Sequence, residues 1–160
     1  MNNLEFFRHC VAAEYNATHA LLLALPDAEL AYRPHTVNRS AAELVEHIVA
    51  HVYDLIIILE HPVCDEKLSY DFKDVSATAA DMTIQWNRLK ALLEGYDPAR
   101  WEKEQVELLV AGKPLVTLPR KDMMWFFFFD IIHHRGQLST YVRPMGGKNP
   151  AIYGYSADTL

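Results

Sequence analysis

Asp130 and His134 stand four residues apart in the run Asp130-Ile131-Ile132-His133-His134-Arg135-Gly136-Gln137-Leu138-Ser139, inside a strongly apolar segment. At ~100° per residue they lie about 40° apart on one helix face, so a carboxylate and an imidazole can reach the same ion. A metal also needs donors from an opposing surface. The earlier segment Glu43-Leu44-Val45-Glu46-His47-Ile48, followed by His51, offers them. The chemistry this suggests is a mononuclear metal site between two helices. Its rival is a plain i,i+4 pair, mutually hydrogen-bonded and holding no ion.

Helical phase separates some of the candidates. Met124, Phe127, Ile131, Leu138 and Val142 form an apolar stripe, with Asp130, His134, Gln137 and Tyr141 along its shoulder. His134 falls about 60° from the centre of that stripe, whereas His133 falls roughly opposite it. On the earlier segment, His51 sits nearer the centre of the Leu44, Ile48, Val52, Leu55 stripe than His47 does, and periodicity leaves both open. No glutamate is followed three residues later by histidine, which argues against a carboxylate-bridged di-iron bundle. His-Glu-x-x-His, Gly-rich phosphate loops, Gly-x-Ser-x-Gly and Cys-x-x-Cys are likewise absent. His9, His19, His35 and His61 are scattered and read as surface or packing residues.

Four long helices are needed to position these groups. Leu4 to Leu25 carries Phe7, Val11, Leu21, Leu22 and Leu25 at helical spacing and stops at Pro26. Ser40-Ala41-Ala42-Glu43 is a capping box that opens a second helix, predicted to run to about Glu60. A polar crossing segment, Val63 to Val75, leads to a third helix from about Ser76 to Glu94, with Gly95 as its C-cap. Gln105 to Val110 and Pro114 to Leu118 flank Ala111-Gly112-Lys113 and predict a short β-hairpin. The last helix is predicted from Arg120 to Met145, followed by an irregular tail. The expected fold is all-α, a four-helix bundle with long crossovers and that hairpin before the last helix.

At 160 residues and 51% hydrophobic, the chain suits one domain spanning 1–160. A net charge of −6 with no basic cluster argues against nucleic acid or an anionic membrane as partner. Cys10 and Cys64 show no disulfide or thiolate-metal pattern, and Met1 to Glu5 does not resemble a signal peptide, so a cytoplasmic protein is expected. The longest apolar runs fall far short of the ~20 residues of a membrane span. Trp125 to Phe129 with Ile132 is apolar almost all round, which points either to a partner subunit or to cover from the hairpin and tail.

Taken together, Ser40 to Ile48, Asp130 through His133-His134-Arg135-Gly136-Gln137, and the tail from Tyr141 to Lys148 with Ile152-Tyr153-Gly154 resemble the DinB family (DinB/YfiT-like), over most of the chain. The resemblance implies an up-down-down-up bundle, often a homodimer, holding a divalent metal through one histidine of the second helix and two residues of the last. Carried onto this sequence, those ligands are His47, Asp130 and His134. Many relatives have histidine where this chain has Asp130, and nickel, zinc and iron all suit the set. His51 is then expected to pack or line the pocket. Glu43, one turn before His47, and Gln137, three residues after His134, are candidate supporting groups. The activity implied is metal-dependent, a hydrolase or a small-thiol transferase acting on a small molecule. The alternative is a non-catalytic metal-binding or stress-response module, and a third reading is a structural dimer whose histidines never see metal.

Overall fold

The computed structural model describes residues 1–159. Helix α1 spans Asn3–Leu23 and α2 spans Ala41–Glu60, each opened by a capping box: Asn2 with Glu5, and Ser40 with Glu43. In each box a side-chain oxygen and a carboxylate accept from backbone N–H groups that the first helical turn leaves without partners. The strand β1, Val63–Asp65, leads through an irregular stretch to α3, Val75–Glu94, capped by Asp74. The short helix α4, Pro98–Lys103, then leads into β2, Gln105–Val110, and β3, Lys113–Pro119, and finally α5, Arg120–Tyr141.

The four long helices pack in a ring, α1 on α3, α3 on α2, α2 on α5 and α5 on α1, with α2 and α5 sharing the most extensive contact. Between them lie Phe7, Val11, Leu44, Ile48, Trp86, Leu89, Phe127 and Ile131, all essentially without solvent exposure. The Trp86 indole N–H donates to the Val11 carbonyl at 2.9 Å, which satisfies the one polar atom of the largest core side chain.

The fold is mostly helical rather than all-α, because β1, β2 and β3 form a three-stranded sheet in that order. The hairpin falls where the sequence placed it. Its two-residue turn, Ala111 and Gly112, has φ of 51° and 73°, the positive pair that matches strand twist in a tight hairpin. The third strand, β1, pairs parallel with β2 through Val63, Cys64 and Asp65, inside what reads in sequence as a polar crossing segment. Three residues are too few for alternation to stand out.

The last helix ends at Tyr141, short of the expected Met145. The chain turns away through Gly146 at φ +85°, and the Gly147 N–H donates to the Val142 carbonyl. A Cβ on Gly147 would sit 2.6 Å from the Ala24 carbonyl oxygen, so glycine is required where the tail crosses the end of α1. No helix among the described residues is long and apolar enough to cross a membrane.

Candidate metal centre

The close packing of α2 on α5 brings His47 and His51, one helical turn apart, against Asp130 and His134, also one turn apart. The three imidazoles converge on one carboxylate oxygen. Asp130 Oδ2 lies 3.2 Å from His47 Nε2, 2.9 Å from His51 Nε2 and 3.2 Å from His134 Nε2. His47, Asp130 and His134 offer donor atoms all within 4.8 Å of one another, and so do His47, His51 and Glu66. With metal–nitrogen and metal–oxygen bonds of roughly 2.0–2.2 Å, donors this close can face a common ion after small shifts. The donor set of imidazole and carboxylate therefore fits a divalent transition metal.

Two of the three rings are held from behind. His134 Nδ1 lies 2.8 Å from Gln137 Oε1, an oxygen that can only accept, so Nδ1 carries the proton and Nε2 faces the cluster. The amide nitrogen of Gln137 reaches His133 Nε2 at 3.0 Å, and His133 itself is exposed. His51 Nδ1 donates at 3.0 Å to Asp54 Oδ2, whose side chain is fully buried. Glu43 belongs to the cap of α2, accepting from Ser40 N, and its carboxylate also meets Arg33. With Arg39, Glu46, His47 and Leu68 it lines a pocket of about 300 Å³ that opens beside His47.

His47, Asp130, His134 and Gln137 thus come together, and Glu43 stands at the pocket rim. Asp54 and Glu66 went unread in the sequence, and His51, expected to pack or line the pocket, hydrogen-bonds both Asp54 and Asp130. A signal existed for Asp54: it is the one acid in the otherwise apolar stretch Val52 to Leu59. Glu66 lies on the segment after β1, where no periodicity marks a facing direction.

Electrostatics tie these groups together. Burial alone would raise the Asp130 carboxyl, but hydrogen bonds from His134, His47 and His51 hold it well below the usual carboxylate range. Burial alone would lower His51, yet the Asp130 and Asp54 carboxylates push it up to about 9. His47 is lowered, chiefly by burial, with Asp130 only partly offsetting that. The Cys64 thiol is pushed up to about 12 by burial and the nearby Asp54, Asp65 and Glu66, which keeps it protonated and out of the donor set.

A pH dependence follows for chelator-treated protein. His51 holds its proton more tightly folded than unfolded, so its contribution to stability is complete below its ordinary value of about 6.5. That contribution is lost as pH rises through about 9. The urea midpoint is expected to fall between pH 6.5 and 9, and His51→Gln is expected to flatten that fall. A wild-type midpoint that is flat or rising over the same interval would contradict the arrangement.

Comparison with known proteins gives the family and the fold. The family model described as DinB family matches residues 1–159. Among solved structures, a DinB-like protein from Bacillus subtilis superposes with a TM-score of 0.70 at 21% sequence identity, covering 94% of this chain and 99% of that one. At that identity the likeness speaks for the fold alone. No curated protein sequence matches. With the family model spanning nearly every residue, α2 and α5 included, the chain belongs to the DinB family.

Proposed function

We propose that the chain holds one divalent ion through His47, Asp130 and His134 and uses it on a small molecule, as a hydrolase or a small-thiol transferase. The observation that carries this reading is the convergence of donors from two helices, with His47 and His134 both on Asp130 and the His134 ring fixed by Gln137. Two imidazoles and a carboxylate suit nickel, zinc or iron. Three protein ligands leave positions open, the arrangement of catalytic rather than structural sites. A divalent ion there would lower the pKa of a coordinated thiol or water and so supply a nucleophile at neutral pH.

The chain's own residues supply position and charge. Gln137 fixes the ring of His134. Arg39 and Glu46, on the walls of the pocket beside His47, place a cation and an anion where a small polar substrate would lie. The up-down-down-up order of the bundle is part of the same reading. It is supported by the ring of helix contacts and by the long connections on either side of α2 and before α5.

Cobalt-substituted protein tests the open position. Addition of a small thiol or a hydroxamate is expected to change the visible spectrum of the cobalt. If the spectrum ignores every such ligand and metal removal only lowers the melting temperature, the ion is structural and the protein is a binding module.

A homodimer belongs to the same proposal. Phe6, Phe126 and Phe129 are half or more exposed, and Phe6 and Phe129 flank a groove of about 540 Å³ with Trp125, Phe128 and Ile132. Apolar surface of this kind on α1 and α5 favours a second copy. Sedimentation equilibrium at micromolar concentration is expected to give about twice the 18.3 kDa chain mass. A monomeric mass throughout would reject the dimer.

A further inference from the structure

Asp54 is fully buried on α2, and its two carboxylate oxygens have separate partners. Oδ2 accepts from His51 Nδ1 at 3.0 Å. Oδ1 accepts from the Lys67 backbone N–H at 3.0 Å and lies 3.9 Å from Cys64 Sγ. One acid therefore aims the His51 ring and also pins the segment that follows β1. Glu66, between the pinned residues Cys64 and Lys67, is held so that its carboxylate and the donors of His47 and His51 all lie within 4.8 Å of one another.

This group overlaps the centre already described. His47 is common to both, and Asp130 Oδ2 is 2.9 Å from His51 Nε2, closer than to the other two imidazoles, so a small shift of the segment that carries Glu66 brings the two groups onto one ion. Adjacent ligands of one ion with bonds near 2.0–2.1 Å stand about 2.8–3.4 Å apart, whether the angles are octahedral or tetrahedral. The distances from Asp130 Oδ2 to the three Nε2 atoms, 2.9, 3.2 and 3.2 Å, fall in that interval. The Asp54–His51 pair is, moreover, the arrangement in which a carboxylate behind a ligating histidine fixes its tautomer and strengthens it as a donor.

We propose that His51 and Glu66 join His47, Asp130 and His134 as ligands of a single ion, so that this chain binds its metal through three imidazoles and two carboxylates. The inference rests on the metal reading above and extends it. Two carboxylates balance the charge of a divalent ion, and five donors leave one position of an octahedron for a substrate atom. A donor set of this size selects a five- or six-coordinate ion such as iron, nickel or manganese over tetrahedral zinc.

X-ray absorption on untagged protein loaded with nickel(II), with metal content and a chelator competition alongside, tests this. Wild type is expected to bind one ion per chain with three imidazoles and five or six donors in all, and His51→Ala, which loses a direct donor and so fills only under excess nickel, is expected to show two imidazoles. Glu66→Gln changes a residue outside the helices, so it decides the matter even if His51→Ala does not fold. It is expected to keep three imidazoles and to weaken binding by more than the roughly 10–100-fold that loss of an outer contact costs. One ion with only two imidazoles in wild type would overturn the five-donor centre while leaving the three-ligand reading intact, and so would two ions per chain or a smaller loss in Glu66→Gln. No stoichiometric ion in wild type would sink both.

Discussion

Replacing His134 with alanine is expected to abolish stoichiometric metal binding, while the same change at His133, its neighbour in sequence, leaves metal content near that of wild type. The two imidazoles differ only in which way the helix turns them. His134 Nε2 faces Asp130 Oδ2 at 3.2 Å, with Nδ1 held by Gln137. His133 is exposed; its ring packs edge-on against that of His134 and hydrogen-bonds the Gln137 amide nitrogen. Loss of His134 removes a direct donor. Loss of His133 removes one partner of the residue that steadies His134, and such outer contacts cost about 10–100-fold in affinity at most. At micromolar protein and metal, that difference separates an empty site from a filled one. Equal loss in both variants, or full metal in His134→Ala, would contradict the assignment.

The second large effect is expected at Arg135, one residue further along. Its guanidinium is buried, pairs with Glu14 and reaches Thr18, and it stacks on the Tyr153 ring of the tail with its charge 5.0 Å from the ring centroid. Tyr153 OH in turn donates to Glu14 at 2.9 Å. Arg135 therefore ties α5 to α1 and to the tail at one point. Arg135→Met keeps most of the volume but leaves the Glu14 carboxylate, largely buried, without its cation. Breaking a buried pair from one side costs about 3 kcal/mol or more. For a chain of this size that lowers the melting temperature by roughly 6–12 °C. Metal content per folded chain is expected to stay at the wild-type level, because Arg135 faces away from the three imidazoles. A loss of less than about 0.5 kcal/mol, the range of ordinary surface changes, would show that the pair does not hold the tail.

These two effects divide the motif His133-His134-Arg135-Gly136-Gln137 into a donor, a structural latch and a support. The sequence shows how far such a division can be read in advance. The i,i+4 relation of Asp130 and His134 was legible because helical geometry fixes it locally, and the stripe Met124, Phe127, Ile131, Leu138, Val142 correctly marked the buried face of α5. The capping box at Ser40 set the start of α2, and with it the phase of His47 and His51. The tertiary partners were not legible. Asp54 lies one turn beyond His51 on α2 and is marked in sequence only as a lone acid among apolar residues. Glu66 reaches the centre through the parallel pairing of β1 with β2 and the fold-back of the segment after it. Contacts of that kind depend on loop geometry, for which the sequence has no period. Nothing in the sequence marks Arg135 as buried; the crossing of α1 and the tail buries it.

The central claim, that this DinB-family chain is a metal protein, is tested most directly by elemental analysis of protein purified without an affinity tag and without added metal. The expected result is close to one equivalent of a single transition metal per 18.3 kDa chain. Protein that is folded yet carries no transition metal above trace level, and takes up none when it is offered, would contradict it.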